Sequence, residues 1–335
     1  MRHFMLVFVT WLLIAGSAVA GETFATVKSA RMLRCGVSTG LPGFAERDAA
    51  GRWNGLDVDF CRAVAAAVLG DPQKVSFKPL PTLARFPALM TGEIDILARH
   101  TTWTLGREAA MGIVFVGPLL YSRQGVMVRA SSGIRQFGDL NDKSICVVKG
   151  STQDDSLYFW ARRRGLHIER KQFDSDDLAR QGYFEGACQG YASDAVLLEA
   201  LRLRAPGGKD AQVILREDWA MDPLSPVVRR DDNAWLQVVK AVWASLLLAE
   251  EMGLTQASFA PGAPPSQAAA VYGIKSDALA KILGVPPGFA GRAVAAVGNY
   301  GEMFERNLGS GSPLHLDRGP NRLWSDGGLM LPPGF

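Results

Sequence analysis

Short apolar runs alternate along most of this chain with longer stretches in which apolar positions recur every three or four residues, the rhythm of strands followed by amphipathic helices. Arg31 to Val37 reads as a first strand. It is followed by Gly40-Leu41-Pro42-Gly43-Phe44, a turn whose glycines let backbone approach closely. Trp53-Asn54-Gly55-Leu56-Asp57 then leads into a helix from Val58 to Leu69, with Val58, Cys61, Ala65 and Val68 on one face, Asp57 as its expected N-cap and Gly70-Asp71-Pro72 as its stop. Val75 to Leu80 is a second strand and Leu83 to Met90 a short helix interrupted near Pro87. Ile94 to Leu97 is a third strand, and Val114 to Pro118 and Gln124 to Arg129 are further strands.

The same rhythm restarts near Ser131. Ile145 to Val148 is a strand, Lys149-Gly150-Ser151-Thr152-Gln153 a strand-to-helix turn, and Ser156 to Arg164 a helix. His167 to Phe173, a helix from Asp176 to Glu185, and Cys188 to Ala192 follow. Ser193-Asp194 comes directly after that strand and precedes a helix from Ala195 to Leu203. Gln212 to Leu215 heads back toward the first unit, and Pro223 to Val228 reads as a second crossing between units. Alternation of this kind predicts α/β layers. About 315 residues after any leader exceed one comfortable core, so two lobes are expected.

Composition refines this picture at the N-terminus. Arg2 and His3, an apolar run from Phe4 to Ile14 and the small residues Ala15 to Ala20 predict a secretory signal peptide over residues 1–20, cut after Ala18-Val19-Ala20. An exported, periplasmic protein beginning at Gly21 and free of a membrane span is the expectation. The net charge is +3, or +2 once Arg2 leaves with the leader, a balance without the footprint of a nucleic-acid or anionic-membrane binder. Four cysteines in an exported chain invite pairing: Cys35, Cys61, Cys146 and Cys188 allow three connectivities. If the halves are separate lobes, Cys35–Cys61 with Cys146–Cys188 is the one pairing that keeps each bridge inside a lobe. No Cys-x-x-Cys spacing exists and the histidines are scattered, so no metal and no cofactor is expected.

The candidate chemistry lies where strands end. The third strand runs into a hydroxyl-rich segment with Thr101, Thr102 and Thr104, followed by Arg107 where a helix begins. Unpaired backbone N–H groups, threonine hydroxyls and a guanidinium fork suit a carboxylate. The second unit contributes Ser151, Thr152 and the carboxylate of Asp194 at equivalent positions, although Ser151 also suits a helix cap. Ligands of open α/β sheets bind at such strand ends. An arginine facing an aspartate across a cleft fits a ligand carrying both a carboxylate and an ammonium group, an α-amino acid.

Several long motifs carry a resemblance. Cys35-Gly-Val-Ser-Thr-Gly-Leu-Pro-Gly-Phe44, Trp53-Asn-Gly-Leu-Asp-Val-Asp-Phe-Cys-Arg-Ala-Val-Ala-Ala-Ala67, Thr101-Thr-Trp-Thr-Leu105, Gly150-Ser-Thr-Gln153, Gly298-Asn-Tyr-Gly-Glu-Met-Phe-Glu-Arg-Asn307 and Arg318-Gly-Pro-Asn-Arg-Leu-Trp324 resemble the general L-amino-acid-binding proteins of polar amino-acid ABC transporters. The resemblance implies a two-lobed type II periplasmic binding protein fold with two crossing segments. It implies a first lobe of residues 21–129 plus 227–335 and a second of 130–226. It also implies capture of a free L-amino acid by lobe closure, delivery to the membrane permease subunits of an ABC transporter, and a monomer without enzymatic activity. By the same resemblance Arg107 takes the ligand carboxylate, assisted by Thr102, Ser151 and Thr152, and Asp194 takes its ammonium. Leu41 falls where the family places apolar contacts to the ligand side chain. His100 stands where close relatives carry an amide and lines the cleft. The rival reading is a periplasmic dehydratase of prephenate or arogenate type on the same fold, for which Glu108 and His100 are the nominees for general acid.

Overall fold

The computed structural model describes residues 22–335; the expected signal peptide lies outside the described residues. The chain begins with α1 (Glu22–Ala30), β1 (Leu33–Val37), the hairpin β2 (Glu46–Arg47) and β3 (Trp53–Asn54), α2 (Leu56–Leu69) and β4 (Val75–Pro79). It continues through α3 (Arg85–Met90), β5 (Ile96–Leu97), α4 (Leu105–Ala110), β6 (Ile113–Phe115) and the long β7 (Leu120–Arg129). A second α/β run comprises β8 (Lys143–Val148), α5 (Thr152–Arg163), β9 (Ile168–Phe173), α6 (Asp176–Phe184), β10 (Gly190–Asp194), α7 (Ala195–Leu203) and β11 (Gln212–Leu224). The chain ends with β12 (Val227–Arg229) and the helices α8 (Asn233–Glu251), α9 (Gln267–Leu283), α10 (Phe289–Val297) and α11 (Tyr300–Asn307).

Two five-stranded sheets result, in the orders β4-β1-β5-β12-β6 and β11-β7-β10-β8-β9. In the first, β1 runs parallel to β4 and β5; in the second, β8 runs parallel to β9 and β10. Parallel neighbours put their C-terminal ends on the same edge of a sheet, and in both sheets that edge becomes the cleft. β7 and β11 pair antiparallel over most of their lengths, with a register shift between Arg216 and Met221. Residues 120–129, assigned from the sequence to the first lobe, thus pair within the second sheet, and β12 is where the chain rejoins the first. The short apolar run Val126-Met127-Val128 in β7 reads the same in either sheet, and long-range pairing decides between them. The two crossings lie side by side, tied by Leu119 N–H to Leu224 O (2.8 Å) and Val116 N–H to Pro226 O (2.9 Å).

The largest core joins α2, α8, α10 and α11 to the first sheet. α2 is apolar almost all round and accordingly buried, with Phe60, Ala63 and Val64 fully inside. The expected N-cap of this helix is corrected: Gly55, not Asp57, occupies the cap. Gly55 sits at φ +127°, and a Cβ there would come within 2.2 Å of Phe44 O, so only glycine fits. The first N–H groups of α2 are satisfied instead by Gly43 O and Phe44 O at 2.9 and 3.1 Å. Asp57, freed from capping, turns its carboxylate to the backbone N–H of His100 (3.2 Å).

The cysteines are bonded as Cys35–Cys61, joining β1 to α2, and Cys146–Cys188, joining β8 to the approach of β10. Each bridge therefore braces one sheet. Among the described residues no helix is long and apolar enough to cross a membrane.

Candidate functional site

Most of the polar groups in the cleft are delivered by residues at or just after the end of a strand. β1 leads to Ser38 and Leu41, β4 to Thr82 and Arg85, and β5 to Arg99, His100 and Thr102. From the opposite sheet, β8 leads to Ser151 and Thr152, β9 to Asp176, and β10 ends on Asp194. Arg107, Asp194, Thr102, Thr152, Ser151 and His100 line one cavity, of about 320 Å³. Leu41 lines an adjoining one, of about 380 Å³, and the two share Arg99, His100, Asp176 and Leu197.

Arg107 enters the cleft from the first turn of α4, whose cap is the Thr104 hydroxyl accepting from Arg107 N–H at 3.2 Å. Its guanidinium donates to Thr102 O (2.8 Å) and, across the cleft, to Gly150 O (3.1 Å). Gly150 turns the chain at φ +73°, a left-handed geometry that glycine adopts without strain, and so aims that carbonyl at Arg107. Ser151 caps α5, its hydroxyl accepting from Asp154 N–H at 3.3 Å. Thr102 is held by backbone as well as side chain. Its neighbours zip onto the second crossing through Trp103 N–H to Pro223 O (2.8 Å) and Ser225 N–H to Thr101 O (2.9 Å).

Asp194 is buried at the N-terminus of α7 without capping it, and its Oδ1 has no hydrogen-bond partner among the described residues. Burial, then the nearby Asp222 and Asp176, push its carboxyl well above the usual range, against a hydrogen bond from Gln153 and the charge of Arg107. Arg107 is shifted the other way, its charge disfavoured by burial. Each group is thus held short of its comfortable charge state, which an opposite charge between the lobes relieves.

Four participants had not been singled out from the sequence. Asp222, on β11, takes hydrogen bonds at Oδ2 from Thr102 and Thr152 (3.0 Å each), Gln124 (2.9 Å) and Gln153 (3.4 Å). Arg99, fully buried, donates to Leu80 O (2.8 Å), Thr82 (3.1 Å) and Asp176 (2.7 Å), the last in the opposite lobe. Burial alone would raise the Asp176 carboxyl; the Arg99 charge, with the Thr82 hydroxyl (2.7 Å), outweighs it and holds it below the ordinary range. Arg85 is the fourth, a buried guanidinium at the start of α3. The one signal in the sequence was local: Arg85 and Arg99 are charges embedded in otherwise apolar strand-and-helix segments, where a charge needs a partner or a ligand.

His100 sits at φ +34°, a conformation uncommon for a non-glycine residue, fixed by the Asp57 carboxylate on its N–H and by edge contact with Phe44 (centroids 5.7 Å apart). Burial, with Arg99 adding to it, lowers its pKa to about 3, so the imidazole is neutral. Its Nδ1 has no hydrogen-bond partner among the described residues. Glu108 points elsewhere: Trp103 Nε1 (2.9 Å) and Phe115 N–H (3.4 Å) donate to its two oxygens.

Across the lobes, Arg99 with Asp176, Thr82 with Asp176, Thr102 with Thr152, Arg107 with Gly150, and Thr39 with Asp177 (3.1 Å) close the cleft. Such a constellation has the donors and acceptors to hold a small polar molecule between two bodies joined by paired strands.

Comparison with known proteins is consistent with this geometry. The model of the bacterial extracellular solute-binding proteins, family 3, matches residues 33–259. Over 325 residues the chain is 39% identical to the general L-amino acid-binding periplasmic protein of Rhizobium johnstonii, covering 96% of this chain and 95% of that one. It is 40% identical over 326 residues to the glutamate/glutamine/aspartate/asparagine-binding protein of Rhodobacter capsulatus, covering 96% of each. Among solved structures, a periplasmic binding protein from Brucella ovis with glutathione bound is similar at a TM-score of 0.88 and 38% identity, covering 93% of this chain and 99% of that chain.

Proposed function

Because the chain belongs to the bacterial extracellular solute-binding proteins of family 3, we propose that it captures free L-amino acids in its cleft and delivers them to the permease subunits of an ABC transporter. The relatives at 39% and 40% identity are named as amino-acid-binding proteins, and they match nearly end to end. The observation that carries the reading is the convergence of the Arg107 guanidinium and the buried, underpartnered carboxyl of Asp194 in one closed cleft. In this reading Arg107 binds the ligand carboxylate, with the hydroxyls of Thr102 and Thr152 and the turn at Ser151 beside it. Asp194 binds the ammonium, which supplies the charge that burial withholds from it. Leu41 and His100 face the ligand's side chain.

Closure is a rigid-body movement of the two lobes about the paired crossings near Leu119–Leu120 and Leu224–Ser225. The protein works in the periplasm as an exported monomer, released from its leader at Ala20, and transforms nothing. A dehydratase needs a general acid over its substrate. Glu108 is engaged by Trp103 and Phe115, and His100 is held neutral, which leaves neither nominee suited to that role.

A thermal-shift screen of the common L-amino acids, followed by calorimetry of the hits, tests this. Bound ligand raises the melting temperature by mass action, and each hit is recovered unchanged. A protein that no amino acid stabilises, or that converts a prephenate-like acid, contradicts it.

A further inference from the structure

The segment after α11 folds back on the first lobe and ends against one strand of the hinge. Within it Leu323 pairs with Met330, both buried, and Leu329 N–H donates to Pro320 O at 2.8 Å. Arg318 fastens the segment to the lobe. Its guanidinium is ion-paired with Glu250 of α8, lies 5.3 and 5.7 Å from the ring centroids of Tyr300 and Phe304 in α11, and donates to Asn321 O at 2.8 Å. Held in this way, Asn321 is 4% exposed and turns its amide to the backbone of Tyr121, near the start of β7. Tyr121 N–H donates to Asn321 Oδ1 (2.6 Å), and Asn321 Nδ2 donates back to Tyr121 O (3.1 Å). β10 pairs with β7 only from Gln124 onward, so at Tyr121 a side-chain amide supplies the donor and acceptor that a neighbouring strand would. Opposite Tyr121 in the ladder stands Pro223, whose carbonyl accepts from Trp103 N–H of the first lobe at 2.8 Å. Both crossing strands are thus gripped by the first lobe at the same rung.

We infer that Asn321 is a positioning residue for the lobe movement: through it the C-terminal segment clamps the rung Tyr121–Pro223 to the first lobe and confines the bend to Ser122–Arg123 and Met221–Asp222. This rests on the closure of two lobes proposed above, and not on which ligand they capture. A hinge rotation is absorbed by the few residues that neither lobe holds. From Gln124 onward β7 is paired on both sides, with β11 and β10, so the free stretch is short and its shortness limits how far the lobes part. Without the amide Tyr121 loses both partners, the free stretch lengthens toward Leu119, and the second lobe swings wider. The clamp leaves room for that movement. A groove of about 730 Å³ is lined by Arg318, Pro320 and Asn321 from the clamp and by Ala195 and Val196 from α7 of the second lobe.

Hydrogen exchange resolved to single amides, with small-angle scattering, tests this on ligand-free wild type and ligand-free Asn321→Ala. In wild type the Tyr121 N–H is expected to be protected without ligand, because the clamp holds it whether the cleft is open or closed. In Asn321→Ala that protection falls by about tenfold, the scale of one ordinary hydrogen bond, and the radius of gyration exceeds that of ligand-free wild type. A lower melting temperature with an unchanged radius of gyration would make Asn321 a stability contact alone, which overturns the assignment. A Tyr121 N–H that exchanges freely in ligand-free wild type overturns it as well, since the bond would then form only on closure. Should Asn321→Ala fail to fold, that wild-type measurement decides alone. Neither reading uses ligand, so a protein that binds no amino acid removes the proposed ligand and leaves the clamp to be judged on the same two results.

Discussion

Thr102 and Thr152 meet from opposite lobes with their hydroxyls 3.1 Å apart and share one carboxylate oxygen of Asp222, each at 3.0 Å. Asp222 lies on β11, one of the two crossing strands, two residues before its end at Leu224. A single buried carboxylate therefore joins the hinge to both walls of the cleft. Hydrogen bonds to a charged acceptor are worth more than neutral ones, and each exists in full only when the lobes are together.

Thr152→Val is accordingly expected to disfavour closure. Loss of one charge-assisted donor at about 1.5–3 kcal/mol corresponds to binding weakened by roughly tenfold to a hundredfold or more. Small-angle scattering with ligand would show a larger radius of gyration than wild type at equal occupancy. Thr102→Val should couple to it non-additively in a double-mutant cycle, since both hydroxyls serve one oxygen. Strictly additive losses would mean that the two act separately.

Arg107→Ala and Asp194→Ala each remove one half of the proposed zwitterion clamp. Truncating one partner leaves the ligand's opposite charge desolvated and unpaired, a loss of about 2–5 kcal/mol, so binding should weaken by at least about thirty-fold in each. Circular dichroism should remain that of the wild type. Calorimetry giving wild-type affinity in both would remove these residues from the site.

The buried pair Asp57 and His100 predicts an unusual pH profile. Burial pushes the Asp57 carboxyl up to about 7, whereas an unfolded aspartate titrates near about 3.9. Between those values the native state holds a proton that the unfolded chain has lost, so this residue's contribution to stability falls as pH rises from roughly 4 to 7. His100, lowered to about 3, acts in the opposite sense: below roughly pH 6.5 the unfolded chain takes up a proton that the native state refuses, and stability falls on acidification. Asp57→Asn removes the first effect and keeps an acceptor for the His100 N–H. Its melting temperature relative to wild type should therefore climb between pH 4 and pH 8; a constant difference would show that Asp57 does not titrate in that window.

The disulfides close loops with sequence separations of 26 and 42. In the chain-entropy model they are worth about 3.5 and about 4 kcal/mol. Cys35→Ala with Cys61→Ala, and Cys146→Ala with Cys188→Ala, should each lower the unfolding free energy by an amount in that range, read as a lower denaturation midpoint at unchanged slope, with amino-acid affinity little changed. A midpoint unaffected by either pair would argue that the sheets alone hold β1 to α2 and β8 to β10.

What the sequence determined by itself is what consecutive residues can encode. The alternation of strand and helix, the Gly150-Ser151-Thr152 turn and the cap at Ser151 follow from period, φ preference and hydroxyl chemistry within a few residues. Arg107 and Asp194 stand out for the same reason: each is a charge placed beside a strand-to-helix transition. Chain order alone left undecided which sheet β7 joins, because its apolar run fits either and only pairing with β10 and β11 chooses. Gly55 took the cap from Asp57 because Phe44, distant in sequence, leaves no room for a Cβ. Asp222 reaches Thr102 and Thr152 from 120 and 70 residues away, and Arg99 reaches Asp176 from 77. Those partners are set by how two lobes close around a shared pair of strands.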